Sequence, residues 1–402
     1  MKQFFVALST ITSLLAAPAF AQVNNSENPS GRIPGGSTLA FLNFAPDARH
    51  AALGEAGVAS TPDAAATYWN ASKLAFAEED FGATLSYTPW LGNITDDMFL
   101  GYVNAYKKID KRQAIAGSFQ YFNNGEIDLR DGMGGPLGNF TSREFALAGT
   151  YSRQLSSKFA MGLTLKWIYS NLSGNNVAGG ASGSLKPAST AAGDISLYYN
   201  DGFKDFTSGK EFSYGLGLTM SNFGGKISYS DISYFIPTNL RLGGRITYSG
   251  DGKNKFNLLL DVNKLMAPTP PHMESYVDAS GNTQWRVLEG RDTRNLGLMS
   301  GVFGSFTDAP NGFKEELQEV SISTGLEYLY NNTFAVRVGY QGQSAEKLGN
   351  SNFTAGLGVK FQDRYNVDFA YLVPMRTGSP LANTFRITVG IALNKATDVI
   401  ED

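Results

Sequence analysis

The 402-residue chain has no cysteine and only two histidines. Without cysteine there is no disulfide framework and no lipid anchor on an N-terminal Cys, so stability must come from packing or from hydrogen-bonded closure. His50 lies in a short helical stretch and His272 in the Pro-rich run "PTPPHME". Neither falls on a strand-like segment facing a Ser, the alignment a barrel hydrolase needs for proton transfer. The chain is therefore not read as an enzyme, and no catalytic residue, metal ligand or cofactor site is assigned. Charge of one sign is lacking too: 33 Lys and Arg against 36 Asp and Glu give −3, which leaves no basic face for nucleic acid. Long apolar runs are missing beyond the start. There, "MKQFFVALSTITSLLAAPAFA" has Lys2, an apolar stretch from Phe4 to Ala17 and the ending Ala19-Phe20-Ala21. This stretch is shorter than the roughly 20 residues a membrane helix needs, so residues 1–21 read as a signal peptide cut before Gln22.

What the chain does have is glycine and aromatics, with 45 Gly, 27 Phe and 19 Tyr. From Phe81 onward it resolves into segments of about ten residues in which one parity is apolar and the other small, polar or charged. In "FAMGLTLKWIY", Phe159, Met161, Leu163, Leu165, Trp167 and Tyr169 share one face and Gly162, Thr164 and Lys166 the other. Side chains alternate across a strand, so each segment has one greasy and one polar side. Fourteen segments are counted: 81–89, 98–107, 113–122, 144–154, 159–170, 192–200, 211–222, 238–249, 254–265, 319–330, 333–341, 353–361, 365–373 and 384–393. The second is ambiguous in parity.

The connections alternate in length. "KIDKR", "LSSK", "SGDGKNK", "NN" and "QDR" are short, whereas 123–143, 171–191, 223–237 and above all 266–318 are long. Tight turns at one end and long loops at the other are expected of an outer-membrane barrel, whose strand number is even. A soluble sandwich has no reason to sort its loops. Its polar parity would also have to accommodate Arg241, Arg245, Arg337, Asp368 and Arg386. Tyr169, Tyr248, Tyr330 and Tyr371 fall near segment ends, where aromatic girdles lie. The fold class expected is an all-β, 14-stranded antiparallel transmembrane barrel over 81–393, with a periplasmic tail at 394–402.

Residues 22–80 are too long and too apolar for a tether. "STPDAAATYWN" offers Thr61 as N-cap, Pro62 at the first helical position and Asp63 in the first turn; "APDARHAALG" offers Pro46, Asp47 and a stop at Gly54. Helices of about eight residues are marginal in water, so something must surround them. A barrel of this size encloses more space than its own side chains fill. We expect 22–80 to fold back as a small helical plug inside it.

The stretch "ALGEAGVASTPDAAATYWNASKLAF" resembles the N-terminal region of the FadL-like fourteen-stranded barrels, and within them is most similar to the PorV family of type IX secretion proteins. "DFAYLVPMRTGSPLANTFRITVGIAL" is similar to that family's end; Ala71 stands where the family has Pro after Trp-Asn. The resemblance implies an outer-membrane protein that binds secreted cargo through C-terminal signal domains. It also implies two protein partners, a large translocon barrel subunit and a sortase-like attachment protein, amid outer-membrane lipid and lipopolysaccharide. The alternative is a FadL-like transporter of hydrophobic small molecules.

Individual residues enter as candidates. Trp69 and Asn70 are expected to lock the plug to the wall. In the loop 266–318, Tyr276, Trp285 and Val287 are candidates for partner binding, because aromatics in an outward loop must bury against something. "DGMGGPLGNF" (131–140) and 175–193 read as mobile outer loops. Glu78-Glu79-Asp80, Asp96-Asp97 and Glu315-Glu316 read as solvated rim charges.

Overall fold

A computed structural model describes residues 38–92, 95–130, 133, 135–172, 186–205, 207–229, 233–269, 271–278, 281, 283–292, 296–309, 312–344, 347, 351–376 and 384–394. Residues 1–21, expected as a signal peptide, residues 22–37 and all but Asn394 of the expected tail lie outside them.

Eighteen strands follow in chain order. The first seven are β1 (Phe81–Pro89), β2 (Phe99–Asp110), β3 (Gln113–Arg130), β4 (Pro136–Gln154), β5 (Phe159–Asn171), β6 (Ala188–Lys204) and β7 (Glu211–Gly224). A two-residue ribbon, β8 (Ile227–Ser228) with β9 (Ser233–Tyr234), precedes β10 (Asn239–Ser249) and β11 (Asn254–Leu265). The hairpin β12 (His272–Val277) and β13 (Thr283–Glu289) lies in the longest connection. The chain ends with β14 (Val320–Tyr330), β15 (Phe334–Gly342), β16 (Asn352–Phe361), β17 (Tyr365–Pro374) and β18 (Phe385–Leu393). Fourteen of these close one antiparallel barrel, with β1 paired to β18 from Phe81↔Leu393 to Tyr87↔Ile387. Closure leaves no strand edge, the condition for a sheet in hydrocarbon.

Burial divides the two parities. On β5, Leu163, Leu165 and Trp167 are exposed while Thr164 is buried; on β17, Phe369 and Tyr371 are exposed while Asp368 is buried. A soluble sheet does the reverse, so the solvent of the outer face is lipid. The ambiguous segment β2 turns Tyr102, Asn104 and Tyr106 inward. Its two buried aromatics break the polar inward pattern because they pack on the N-terminal segment, Tyr102 Oη lying 2.8 Å from Thr67 Oγ1.

Three expectations need correction. The Gly-rich run 131–140 is partly strand: Pro136–Phe140 continues β4 against β3 beyond an irregularity at Asn123/Glu126. Above the rim the backbone must still find partners, and continued pairing supplies them. For the same reason β6 begins at Ala188, inside a stretch read as loop. The helices before the barrel are short: single turns at Ala40–Asn43, Ala48–Ala51 and Ala66–Trp69, and a six-residue 3-10 helix at Ala71–Phe76. Asp47 caps the second by accepting from His50 N, and Gly54 follows with φ +66°. Thr61 does not cap the third, which starts at Ala66 behind Ala65; its Oγ1 instead accepts from Arg49 Nη2 at 2.6 Å.

Candidate functional site

Residues 38–77 lie in the lumen, and the wall is shaped to admit their backbone. Gly339 on β15 faces Gly54: a Cβ there would fall on the Gly54 amide, and one on Gly54 would lie 2.5 Å from Tyr340 O. On the opposite side a Cβ at Gly162 of β5 would lie 2.6 Å from Ser72 N. Inward-facing hydroxyls then pair with the segment's amides. Thr388 Oγ1 accepts from Ala48 N at 2.9 Å, Thr354 Oγ1 from Gly54 N at 3.0 Å and Ser196 Oγ from Ser72 N at 3.1 Å. A four-residue turn has no stability of its own, so these wall contacts replace the bonds a longer helix would make.

Charges fix the segment more firmly. Arg49 donates to both oxygens of Glu327 on β14, at 3.1 and 2.9 Å, and to Asp63 at 2.7 Å. Glu327 also accepts from Arg337 of β15 at 2.7 Å, and Arg337 donates to Asp368 of β17 at 2.6 Å. One chain of alternating charge thus ties the segment to three strands. On the adjoining strands β11 and β10, Asp261 Oδ2 accepts from Gly57 N and Val58 N at 2.7 and 2.8 Å, and Arg245 donates to Ala59 O at 3.1 Å. Arg49, Asp63, Glu327, Arg337 and Asp368 compensate one another, as burial requires, while Asp261 and Arg245 are held by bonds to neutral groups.

Trp69 and Asn70 sit at the centre. Trp69 Nε1 donates to Asp47 Oδ1 at 2.7 Å, and the Arg241 guanidinium lies 5.1 Å from its ring centroid. Asn70 Nδ2 donates to Val58 O within the segment and to Leu197 O of β6, at 2.9 and 3.0 Å. Behind them His50 bridges Asp47 and Ser60, with Nδ1 2.7 Å from Asp47 Oδ2 and Nε2 2.7 Å from Ser60 Oγ. Burial opposes charge on Asp47, but the bonds from His50 and Trp69 outweigh it and hold its carboxyl well below the usual range. A carboxylate can only accept, so Nδ1 carries the proton. Ser60 Oγ also accepts from Lys73 Nζ at 2.6 Å, and burial pulls that amine down to about 8. The order Asp–His–Ser is that of a hydrolase, yet all three side chains are fully buried and Lys73 engages the hydroxyl. The quartet is a cross-link. Reading the sequence for a His opposite a wall Ser could not find it, since both partners lie in the same segment as His50.

Above this layer the lumen is apolar. Phe44 stacks on Trp90 with centroids 4.0 Å apart and meets Phe122 edge-on at 5.4 Å, while Leu39, Phe41 and Leu42 fill the space beside them. Below it, at the short-turn end, lies a polar cavity of about 240 Å³ lined by groups such as Arg49, Asp63, Glu79 and Asp368.

The longest loop is built differently. Tyr276 on β12 is exposed and Val287 on β13 half-buried; Trp285 stands opposite Ser275, and its side chain lies outside the described residues. Arg286 donates twice to Glu274 across the hairpin and lies 5.7 Å from the Tyr276 ring centroid. Two short helices follow, Leu298–Gly304 and Phe313–Gln318; they expose Met299, Phe303, Phe313 and Leu317, and the connection between them exposes Phe306. The reading of Glu315-Glu316 as solvated is overturned: Glu315 pairs with Lys347, and Glu316 accepts from Lys264 at 2.8 Å, as does Glu319 at 3.0 Å. Nearby, burial and the neighbouring Glu319 and Glu316 push Asp308 up to about 6. Asp308, Glu316 and Glu319 converge closely enough to hold a cation, but Lys264 already fills that role. Sequence reasoning missed this cluster because its cations come from β11 and from a connection some thirty residues downstream.

The family described as type IX secretion system protein PorV matches residues 32–272, more than half of the chain. The chain belongs to the PorV family. It is an outer-membrane β-barrel component of the type IX secretion system. No curated protein matches it in sequence. Among solved structures it is similar to the toluene transporter TodX of Pseudomonas putida, with 12% identity and a TM-score of 0.47 over 87% of this chain and 98% of that one. It is also similar to the toluene transporter TbuX of Ralstonia pickettii, with 14% identity and a TM-score of 0.44 over 87% and 96%. A Pseudomonas aeruginosa FadL homologue aligns at 10% identity and a TM-score of 0.41 over 87% and 98%.

Proposed function

We propose that this PorV-family barrel is a closed platform, which captures secreted proteins by their C-terminal signal domains at the translocon exit and passes them to a sortase-like attachment partner. The reading rests above all on the contrast between a filled lumen and an apolar outer loop. Residues 38–77 act as a fixed plug, with Trp69 and Asn70 locking it to the wall, and transport through the barrel has no part in the function. Capture falls to the outer surface, where Tyr276, Trp285 and Val287 of the hairpin and the exposed Phe303, Phe313 and Leu317 are the contact candidates. Apolar groups held in water are sites of association. The large translocon subunit is the second partner of that surface.

The second reading, a transporter of hydrophobic small molecules, draws on the apolar outer half of the lumen. There Phe41, Phe44 and Trp90 take the place a ligand would need, and the space below is polar. Deleting the gene and measuring cargo held in the periplasm separates the two. Retained cargo supports the platform; normal secretion with impaired uptake of a long-chain apolar nutrient supports the transporter.

A further inference from the structure

At the short-turn end, the periplasmic side of such a barrel, the outward face carries an aromatic belt. Phe203 stands opposite Phe212, Tyr248 opposite Phe256 and Phe361 opposite Tyr365, all exposed. Over β3 and β4 the belt is reduced to Tyr151, while β5 carries Phe159 opposite Tyr199. The last outward pair of β3 and β4 is Gln113↔Arg153, beside Met161 of β5, and the rung above it is Ile115↔Tyr151↔Leu163. The adjoining turn adds Lys111 and Arg112, and the group lines a cleft of about 770 Å³. Its floor is ordered: Asp110 accepts from Arg112 N at 2.7 Å and from Gln113 Nε2 at 2.6 Å, and Tyr151 Oη donates to Gln113 Oε1. Lys111, Arg112 and Arg153 are exposed, and among the described residues none of them makes an ion pair. Three cations against the one carboxylate of Asp110 leave the cleft at +2.

We infer that this notch binds one anionic glycerophospholipid of the inner leaflet, with its phosphate on Arg112 and Arg153 and an acyl chain along Leu163. An aromatic belt positions a barrel in the headgroup region without selecting a headgroup. A guanidinium pair at the same depth selects a phosphate, because its planar fork bonds two oxygens at once. The cations lie at the turn and the apolar side chains lie one rung toward the bilayer centre, the order in which a phospholipid presents phosphate and chain. This site is independent of what the outer surface does.

Native mass spectrometry of the full-length protein in mild detergent, with phosphatidylglycerol or phosphatidylcholine added, tests it. The expected result is one retained phosphatidylglycerol, preferred over phosphatidylcholine and undiminished by inorganic phosphate. In Arg112→Gln/Arg153→Gln retention falls about tenfold or more, given the strength of a basic residue near an anionic surface. The control Lys253→Gln/Arg364→Gln removes two exposed cations from other short turns and leaves retention unchanged. Heat-dependent gel migration establishes that both variants are folded. Equal retention in the two variants, or equal loss, overturns the site. So does unchanged lipid binding with loss of a co-purifying periplasmic protein, which would make the notch a protein contact.

Discussion

The lumenal segment 38–77 and the outer loop 266–318 are both insertions that the barrel wall does not need, and they are held by opposite means. The first has Asp47, His50, Ser60, Asn70 and Lys73 fully buried and partnered, and Arg49 paired on three carboxylate oxygens. The second buries its charges at its base and turns Phe303, Phe313 and Leu317 outward. Buried polar networks specify one arrangement at high cost of disruption, whereas exposed apolar groups contribute little to the fold and favour association. Residues 38–77 are thus held in one arrangement by buried polar bonds, whereas 266–318 leaves apolar side chains at its surface.

The hardest blow to the first part is Gly54→Val, which combines a left-handed backbone with a clash against Tyr340. We expect the segment to lose its seat altogether, read as protease cleavage within 38–77 of a barrel that still migrates as folded. Next is Glu327→Ala, which removes the carboxylate that Arg49 and Arg337 share and leaves each with one, Asp63 and Asp368; the loss stays below the about 3–5 kcal/mol of a fully unpaired buried charge. A fall in the temperature at which the heat-modifiable form disappears measures it. Asn70→Ala removes two bonds to backbone carbonyls, at roughly 1–3 kcal/mol, and gives a smaller fall in the same assay. Phe313→Ser/Leu317→Ser inverts the pattern: stability changes by no more than about 0.5 kcal/mol, while capture of cargo or translocon in a detergent pull-down drops.

The smallest effect is one of pH. Asp308 titrates near 6 in the fold against 3.8 unperturbed, so the folded loop holds the proton that the unfolded loop has lost between about pH 4 and 6. Its contribution is present in acid and is lost as pH rises through 6. Limited proteolysis of the loop is expected to be faster at pH 7.5 than at pH 5, and Asp308→Asn to weaken that dependence.

Strand number and nearly all strand positions were legible because lipid imposes a period of two on every segment, as on β5 and β17. Where that pressure ends, above the rim, the reading stopped short: Ile127 and Leu129 alternate with Glu126 and Asp128, but so brief a run beside a Gly-rich stretch did not mark its pairing with Gly138–Thr141. Parity also misled where the lumen is filled, since Tyr102 and Tyr106 face inward for the sake of the segment they contact. Of the candidate site, Trp69 and Asn70 stood out through the Trp-Asn pair of the stretch that resembles the family's N-terminal region. Their partners Asp47, Leu197 and Val58 are fixed by three-dimensional closure, which no local pattern encodes. Small residues on the inward parity are expected where an insert needs room, and Gly162 and Gly339 mark where its backbone comes close.

A disulfide that pins the segment to the wall tests the platform most directly, since the native chain has no cysteine to interfere. Ala48→Cys and Thr388→Cys place the pair where the Ala48 amide meets the Thr388 hydroxyl at 2.9 Å. With cross-linking verified by gel shift, cargo appearing at the cell surface is counted before and after reduction. Equal secretion in the oxidised and reduced states is the predicted result. Secretion that stops on oxidation and returns on reduction would make the segment a gate and contradict the account.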